Sequence, residues 1–353
     1  MEFNGKKIFL GDIHDGDSYR REYVASVDAL LKRKHEEGYK IREEYMSPEK
    51  FKENPEFFRG EYLKMIGYPF DLISDKIPEY TKEFIGEDDF GKYYRMSVEV
   101  TDGFKFYGML EMPNGVEKAP LIIAQHGGGG TPEWCSDMAG KNNYNYFTKR
   151  ALERGFMVFA PSLMLWGFGP NAAKDFPSFD IEANRGMYDR MFRQVGYSIT
   201  GIEVFCIRRC LDLLCTFDFI DSSKIGIFGP SYGGYFSMHT AAADTRITSI
   251  YSAAVFNDRS KVCSMADWSY ETSAHKFHDA EVAGLCAPRH LQIDVGKQDT
   301  VFDYHPSEYE ATRIAKYYEA YGAENNFSFN LWDGGHRFDE TCEGFEKFFN
   351  SLK

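Results

Sequence analysis

The sequence predicts an α/β fold, a mostly parallel central sheet with helices on both faces, plus an N-terminal helical extension and cap insertions. Three observations predict it. From residue 120 onward, continuous apolar runs alternate with amphipathic stretches of helical period, as when crossover helices bury strands on both faces. One apolar run, 225–228, leads into Gly229-Pro230-Ser231-Tyr232-Gly233-Gly234, small residues placed where a strand must turn sharply into a helix. A chain of 353 residues with 43% hydrophobic content can also bury one large core and still carry an appendage. The expected division is an extension over 1–75 and a body over 76–353, with insertions near 161–197 and 257–288.

Residues 17–68 are rich in Lys, Arg, Glu and aromatics, with Val24, Val27, Leu30 and Leu31 at helical spacing, which predicts two or three helices. Ser47-Pro48 marks one start, serine as N-cap and proline at the first helical position. Over 79–112 the period changes to two: Tyr94, Met96, Val98, Val100, then Phe104, Phe106, Gly108, Leu110, around Thr101-Asp102-Gly103. That predicts a hairpin. Beyond it the spacing predicts strands at 121–125, 156–160, 224–228, 247–255, 290–295 and 327–331. Helices are expected before Arg154, over 199–217, 232–243 and 307–321, and from Glu340. The two insertions interrupt this alternation. Both follow strands on the side where open sheets bind ligands, and both are aromatic, with Trp166, Phe168, Phe176, Phe179, Tyr188 and Phe192 in the first and Trp268, Tyr270 and Phe277 in the second. They are read as a cap, or as local cores under long loops.

A formal charge of -13, with Lys and Arg interspersed among acids, offers no basic face for phosphate backbones or anionic membranes, so neither nucleic acid nor membrane is an expected partner. The segment 1–11 lacks the apolar core of a secretory signal, and a cytoplasmic location is expected. Seven scattered cysteines, an odd number, argue for reduced thiols.

Ser231 sits where a nucleophile is held exposed above a sheet edge, with Gly229 and Gly233 as steric requirements. A serine hydroxyl needs a base, and the base needs an orienting group. His336 follows the last strand on the short loop Asp333-Gly334-Gly335-His336 and is the expected base. Asp299, past Gly296 on the loop after strand 290–295, is the expected acid; Asp294 lies within the strand and Asp258 is held in reserve. The developing alkoxide calls for two amides: that of Tyr232, and one from His126-Gly127-Gly128-Gly129-Gly130, with Gly128 chosen and Gly127 and Gly129 as neighbours. No Gly-Lys-Ser/Thr follows those glycines, which argues against a phosphate loop. Trp134, Trp166 and Trp268 are candidate substrate-binding residues.

Over residues 80–353 the chain resembles the α/β-hydrolases, in particular the acetyl xylan esterase-like and dienelactone hydrolase-like branch. The resemblance rests on His126-Gly127-Gly128, Arg208-Arg209 with Leu211 to Leu214, Gly229-Pro230-Ser231-Tyr232-Gly233-Gly234, Ala287-Pro288-Arg289-His290 leading to Gly296 and Asp299, and Gly335-His336. It implies a triad of Ser231, Asp299 and His336, and structural roles for the arginines. Dienelactone hydrolases proper carry cysteine where this chain has Ser231. The expected activity is therefore cofactor-free serine ester hydrolysis on a small ester, an acylated sugar or aryl ester, by a chain that can form a homo-oligomer. The rivals are a prolyl oligopeptidase-like peptidase, for which the segment before the sheet is short, a carbon-carbon bond hydrolase, and a non-catalytic binding protein. Cys206, Cys210 and Cys215 lack second ligands at zinc spacing, and no metal is expected. His275 and His278 beside Asp279 and Glu281 read as a polar loop. Arg185, Arg190 and Arg193 are either forks for a substrate carboxylate or ion-pair partners of neighbouring acids.

Overall fold

The computed structural model describes residues 1–138, 140, 144–163, 184–262 and 266–353. A two-residue antiparallel pair, β1 (Glu2–Phe3) with β2 (Lys6–Lys7), precedes three helices: α1 (Asp17–Tyr45), α2 (Pro48–Glu53) and α3 (Pro55–Met65). Ser47 caps α2 as its sequence position predicts, Oγ accepting from the Lys50 amide at 3.4 Å, with Pro48 at the first turn. Then come β3 (Glu79–Glu87), β4 (Gly91–Thr101) and β5 (Phe104–Pro113), all antiparallel. The period-two stretch is thus a three-stranded meander, whose second turn holds Gly103 at φ +72°.

The alternating part follows as β6 (Ala119–Ala124), α4 (Pro132–Cys135), α5 (Phe147–Glu153), β7 (Met157–Pro161), α6 (Arg185–Gln194) and α7 (Ile199–Leu214). It continues with β8 (Ile220–Pro230), α8 (Tyr232–Ala243), β9 (Ile247–Ala253), α9 (Asp279–Gly284) and β10 (His290–Gly296). α10 (His305–Tyr321), β11 (Phe327–Trp332) and α11 (Glu343–Asn350) close the chain. The nine-stranded sheet has the order β11-β10-β9-β8-β6-β7-β5-β4-β3, parallel from β11 to β7 and antiparallel beyond. Strand order reverses at β6, whose two neighbours are β7 and β8. Such a reversal opens a crevice beyond the carboxyl ends of the strands, and the glycine run after β6 and Ser231 after β8 both lie there.

Period two along the strands divides the core. Leu121, Ile123, Ile225 and Ile227 face a layer built with α7, α8, α2 and α3; Ile122, Ala124 and Phe228 face a second layer with α5 and α11. The N-terminal helices therefore share the main core, through Met46, Phe51, Phe58, Tyr62 and Ile66. Among the described residues, no helix is long and apolar enough to cross a membrane.

Candidate active site

The tight turn between β8 and α8 forces Ser231 to φ +55° and ψ −124°, a region that costs a non-glycine residue on the order of 1–3 kcal/mol. Its own backbone holds it there: the Ser231 amide donates to Ala253 O (2.8 Å) and its carbonyl accepts from the Tyr235 amide (2.9 Å). A Cβ on either Gly229 or Gly233 would overlap the Gln125 carbonyl, so the two glycines let β6 approach the turn. Ser231 itself remains partly exposed.

The loops after β10 and β11 are tied together. Lys297 and Gln298 donate their amides to Trp332 O (2.9 Å) and Gly334 O (2.8 Å), and a Cβ on Gly296 would overlap the carbonyls of Gly334 and Gly335. This brings His336 Nδ1 to 2.8 Å from Asp299 Oδ2, while Asp299 Oδ1 accepts from the amides of Val301 (2.7 Å) and Phe302 (3.1 Å). The carboxylate side chain is 1% exposed and the imidazole 25%. A carboxylate acceptor places the proton on Nδ1, leaving Nε2 as the ring's acceptor. The other aspartates have separate partners. Asp294 accepts from the Tyr251 hydroxyl (2.6 Å), and Asp333 from Gln298 Nε2 (2.9 Å). Asp258 accepts from Ser260 and lies near His278; burial opposes its charge, but those two neighbours hold its carboxyl below the usual range.

In the glycine run the Gly127 amide donates to the Tyr144 hydroxyl at 2.9 Å. The Gly127 N–H is thus engaged within the loop itself. Gly129 is buried at φ +77°, whereas Gly128 is partly exposed. His126 pins this loop: Nδ1–H donates to Gly127 O (2.8 Å) and Nε2 accepts from the Leu163 amide (2.8 Å). Burial lowers its pKa to about 4, so it stays a neutral bridge between the ends of β6 and β7.

The tryptophan candidates fare differently. Trp268 is 3% exposed, packed on Tyr232 (ring centroids 4.6 Å) and Tyr235 (5.0 Å), with the Arg259 guanidinium 4.7 Å from its ring centre. Buried among these groups, it forms part of the wall behind the turn. Trp134, half-buried on α4, packs against the second core layer. Trp166 lies outside the described residues, as do Phe168, Phe176 and Phe179.

Arg185 takes the second of its two expected roles, an ion-pair partner, and is buried. It grips Glu203 through two 2.7 Å bonds and Asp267 Oδ2 at 2.9 Å, and Asp267 Oδ1 accepts from the Tyr232 hydroxyl at 3.1 Å. Arg190 is exposed, and Arg193 pairs with Asp189 at 2.7 Å. Of the polar-loop residues, Asp279 is held by Arg259 and Glu281 by Arg313. Among the described residues no three His, Cys, Asp or Glu side chains gather as a metal site, and Cys206 and Cys210 are buried in the core. Sequence reasoning missed Tyr144 and Phe302; the Phe302 ring lies 5.5 Å from that of His336 and helps line a cleft of about 650 Å³ with Val301, Pro306 and Lys261.

No family model and no curated protein matches the chain. Solved structures do. A putative acetyl xylan esterase from Bacteroides fragilis NCTC 9343 aligns over 87% of this chain and 83% of its own, with TM-score 0.65 and 14% identity. A glucuronoyl esterase from Solibacter usitatus aligns over 83% and 91%, with TM-score 0.61 and 14% identity. Acetyl xylan esterase 1 from Thermoanaerobacterium sp. JW/SL YS485 covers 85% and 94%, with TM-score 0.55 and 16% identity. The sheet order and these likenesses give the chain the α/β-hydrolase fold.

Proposed function

We propose that the protein is a serine carboxylic-ester hydrolase acting on a small ester, an acylated sugar or an aryl ester, through an acyl-enzyme. The observation that carries this reading is the 2.8 Å hydrogen bond from His336 to a buried Asp299, at the sheet edge where Ser231 is held in its strained turn. Ser231 Oγ attacks the ester carbonyl while its proton passes to His336 Nε2. The alkoxide is met by the amides of Tyr232 and Gly128, each worth about 3 kcal/mol in such sites. Collapse expels the alcohol, which takes the proton from His336. Water, deprotonated by His336, then releases the acid, and Asp299 keeps the imidazole in the required tautomer. The arrangement calls for no cofactor. The similar solved structures described as acetyl xylan and glucuronoyl esterases support sugar esters as the first to try.

Treatment with a fluorophosphonate, followed by peptide mass spectrometry, is expected to place the adduct on Ser231, and a panel of acyl esters, aminoacyl amides and a β-diketone should show ester turnover lost in Ser231→Ala. Labelling of another serine with Ser231 unmodified overturns the assignment. The exposed apolar residues of the N-terminal segment support self-association, and the free cysteines among the described residues support a reducing, cytoplasmic setting.

A further inference from the structure

A second cleft adjoins the one beside His336. It encloses about 690 Å³ between α1 and the loop after β9, and Lys261 lines both clefts. From α1 come Lys32, Lys40 and Arg42; Lys261 and His278 stand opposite, and Glu36 is the single carboxylate among the described lining residues. Lys34 is paired with Glu37 at 2.7 Å, whereas Lys32, Lys40 and Lys261 have no carboxylate within 4.0 Å among the described residues. Asp303 lines the first cleft with Lys261, whose charge it feels, and is hydrogen-bonded to His305 at 2.6 Å.

The floor is built of buried donors. Arg42 is 3% exposed; Nη1 donates to Ala274 O (2.7 Å), but Nε faces Glu281 Oε1 at 3.2 Å without hydrogen-bond alignment. His278 is 5% exposed, with Nδ1 3.7 Å from Asp258 Oδ1, beyond hydrogen-bond reach. Burial disfavours the protonated form of that imidazole, so the three lysines supply the charge, the Arg42 guanidinium being already paired with Glu281. An anionic oxygen in the cleft would accept charge-assisted hydrogen bonds from the three lysine ammonium groups. A chain of net charge -13 repels anions at long range, so a local concentration of unpaired cations has a selective effect.

We propose that this second cleft binds a carboxylate of the sugar chain whose ester reaches Ser231, with Lys261 joining the two clefts. The inference rests on the esterase reading for its substrate and on the cleft alone for its charge preference. Two measurements separate them. In the first, kcat/KM is compared for a neutral aryl acetate and for an acetylated oligogalacturonate, in wild type and in a Lys32→Gln/Lys40→Gln/Lys261→Gln variant. The ratio of anionic to neutral turnover is expected to fall roughly tenfold in the variant, and in wild type with added salt, as exposed charge pairs of this kind do. An unchanged ratio, with the neutral ester still cleaved through Ser231, overturns the cleft assignment and leaves the esterase reading standing. In the second, the full-length Ser231→Ala protein is titrated calorimetrically with oligogalacturonate, neutral xylotriose and inorganic phosphate. Binding of oligogalacturonate alone, lost in the lysine variant, supports the cleft even if no ester is cleaved; equal binding of phosphate, or no binding of any probe, overturns it.

Discussion

Two aspartates five residues apart, Asp294 within β10 and Asp299 on the loop after it, occupy opposite settings. Asp299 is held by two backbone amides and His336, whereas Asp294 is fully buried between Tyr251 and Gln292. Burial pushes the Asp294 carboxyl up to about 6, against the hydrogen bonds from Tyr251 and Gln292. The folded state therefore binds a proton more tightly than the unfolded chain, and stability declines as pH rises from about 4 through about 6. Asp294→Asn removes the ionisation: urea unfolding across that window should show a flatter pH slope, by at most about 3 kcal/mol in total, with ester turnover retained. Asp299→Asn should do the reverse, losing about 10³–10⁴ in kcat with the fold intact, because the imidazole loses its anionic partner and is free to adopt the wrong tautomer. A folded but inactive Asp294→Asn beside a normal Asp299→Asn would place the acid in the strand.

Elements position these residues by close approach, and the approach is testable at the β8–α8 turn. Gly233→Ala sets a methyl against the Gln125 carbonyl, so β6 must retreat and carry the His126–Gly130 loop with it. The expected result is a loss of about 1–3 kcal/mol in stability and a larger fractional loss of turnover, read by thermal unfolding and by kcat on one ester. That turn is legible in sequence because its steric demand is local, and the parallel strands are legible because burial on both faces makes them continuous apolar runs. β8 is only half so. Its first residues, Ile220 and Asp221, pair with Ala119 and Pro120 of β6 and carry no apolar signature through Ser222 and Ser223. α9 is hidden for another reason: Asp279 and Glu281 look like a polar loop until Arg259 and Arg313 arrive from distant elements to neutralise them. The Arg185, Glu203, Asp267 and Tyr232 network behind the turn is likewise invisible, since partners separated by 82 residues leave no spacing to read. The His336 and Asp299 pairing follows from topology, while the use of the Gly127 amide by Tyr144 does not.

At the scale of the whole molecule the N-terminal helices divide into a bound part and an arm. The Tyr62 hydroxyl is hydrogen-bonded to His239 Nδ1 (2.8 Å), Tyr317 donates to Met46 O (2.6 Å), and Lys52 donates to Ala320 O (2.7 Å), fastening α2 and α3 to α8 and α10. A Cβ on Gly38 would lie 2.8 Å from the His275 ring, so α1 meets the body through its C-terminal third. Before that point Phe9 is 91% exposed, and Leu10, Ile13, Tyr19, Tyr23 and Val24 are exposed with it. So much apolar surface on one arm carries a hydrophobic gain of about 25 cal/mol for each Å² removed from water, and a second copy of the chain is the surface always available to cover it. Removing residues 1–26 takes away those side chains and keeps Lys32 and Lys40. Light scattering after size exclusion should then report a smaller species, thermal stability should lose its dependence on protein concentration, and turnover of a neutral ester should persist. Removing residues 1–75 instead strips Phe51, Phe58 and Tyr62 from the main core and should abolish folding. A 1–26 deletion that changes ester selectivity with association unaltered would place the arm at the pocket's edge, and one that changes neither would make it dispensable.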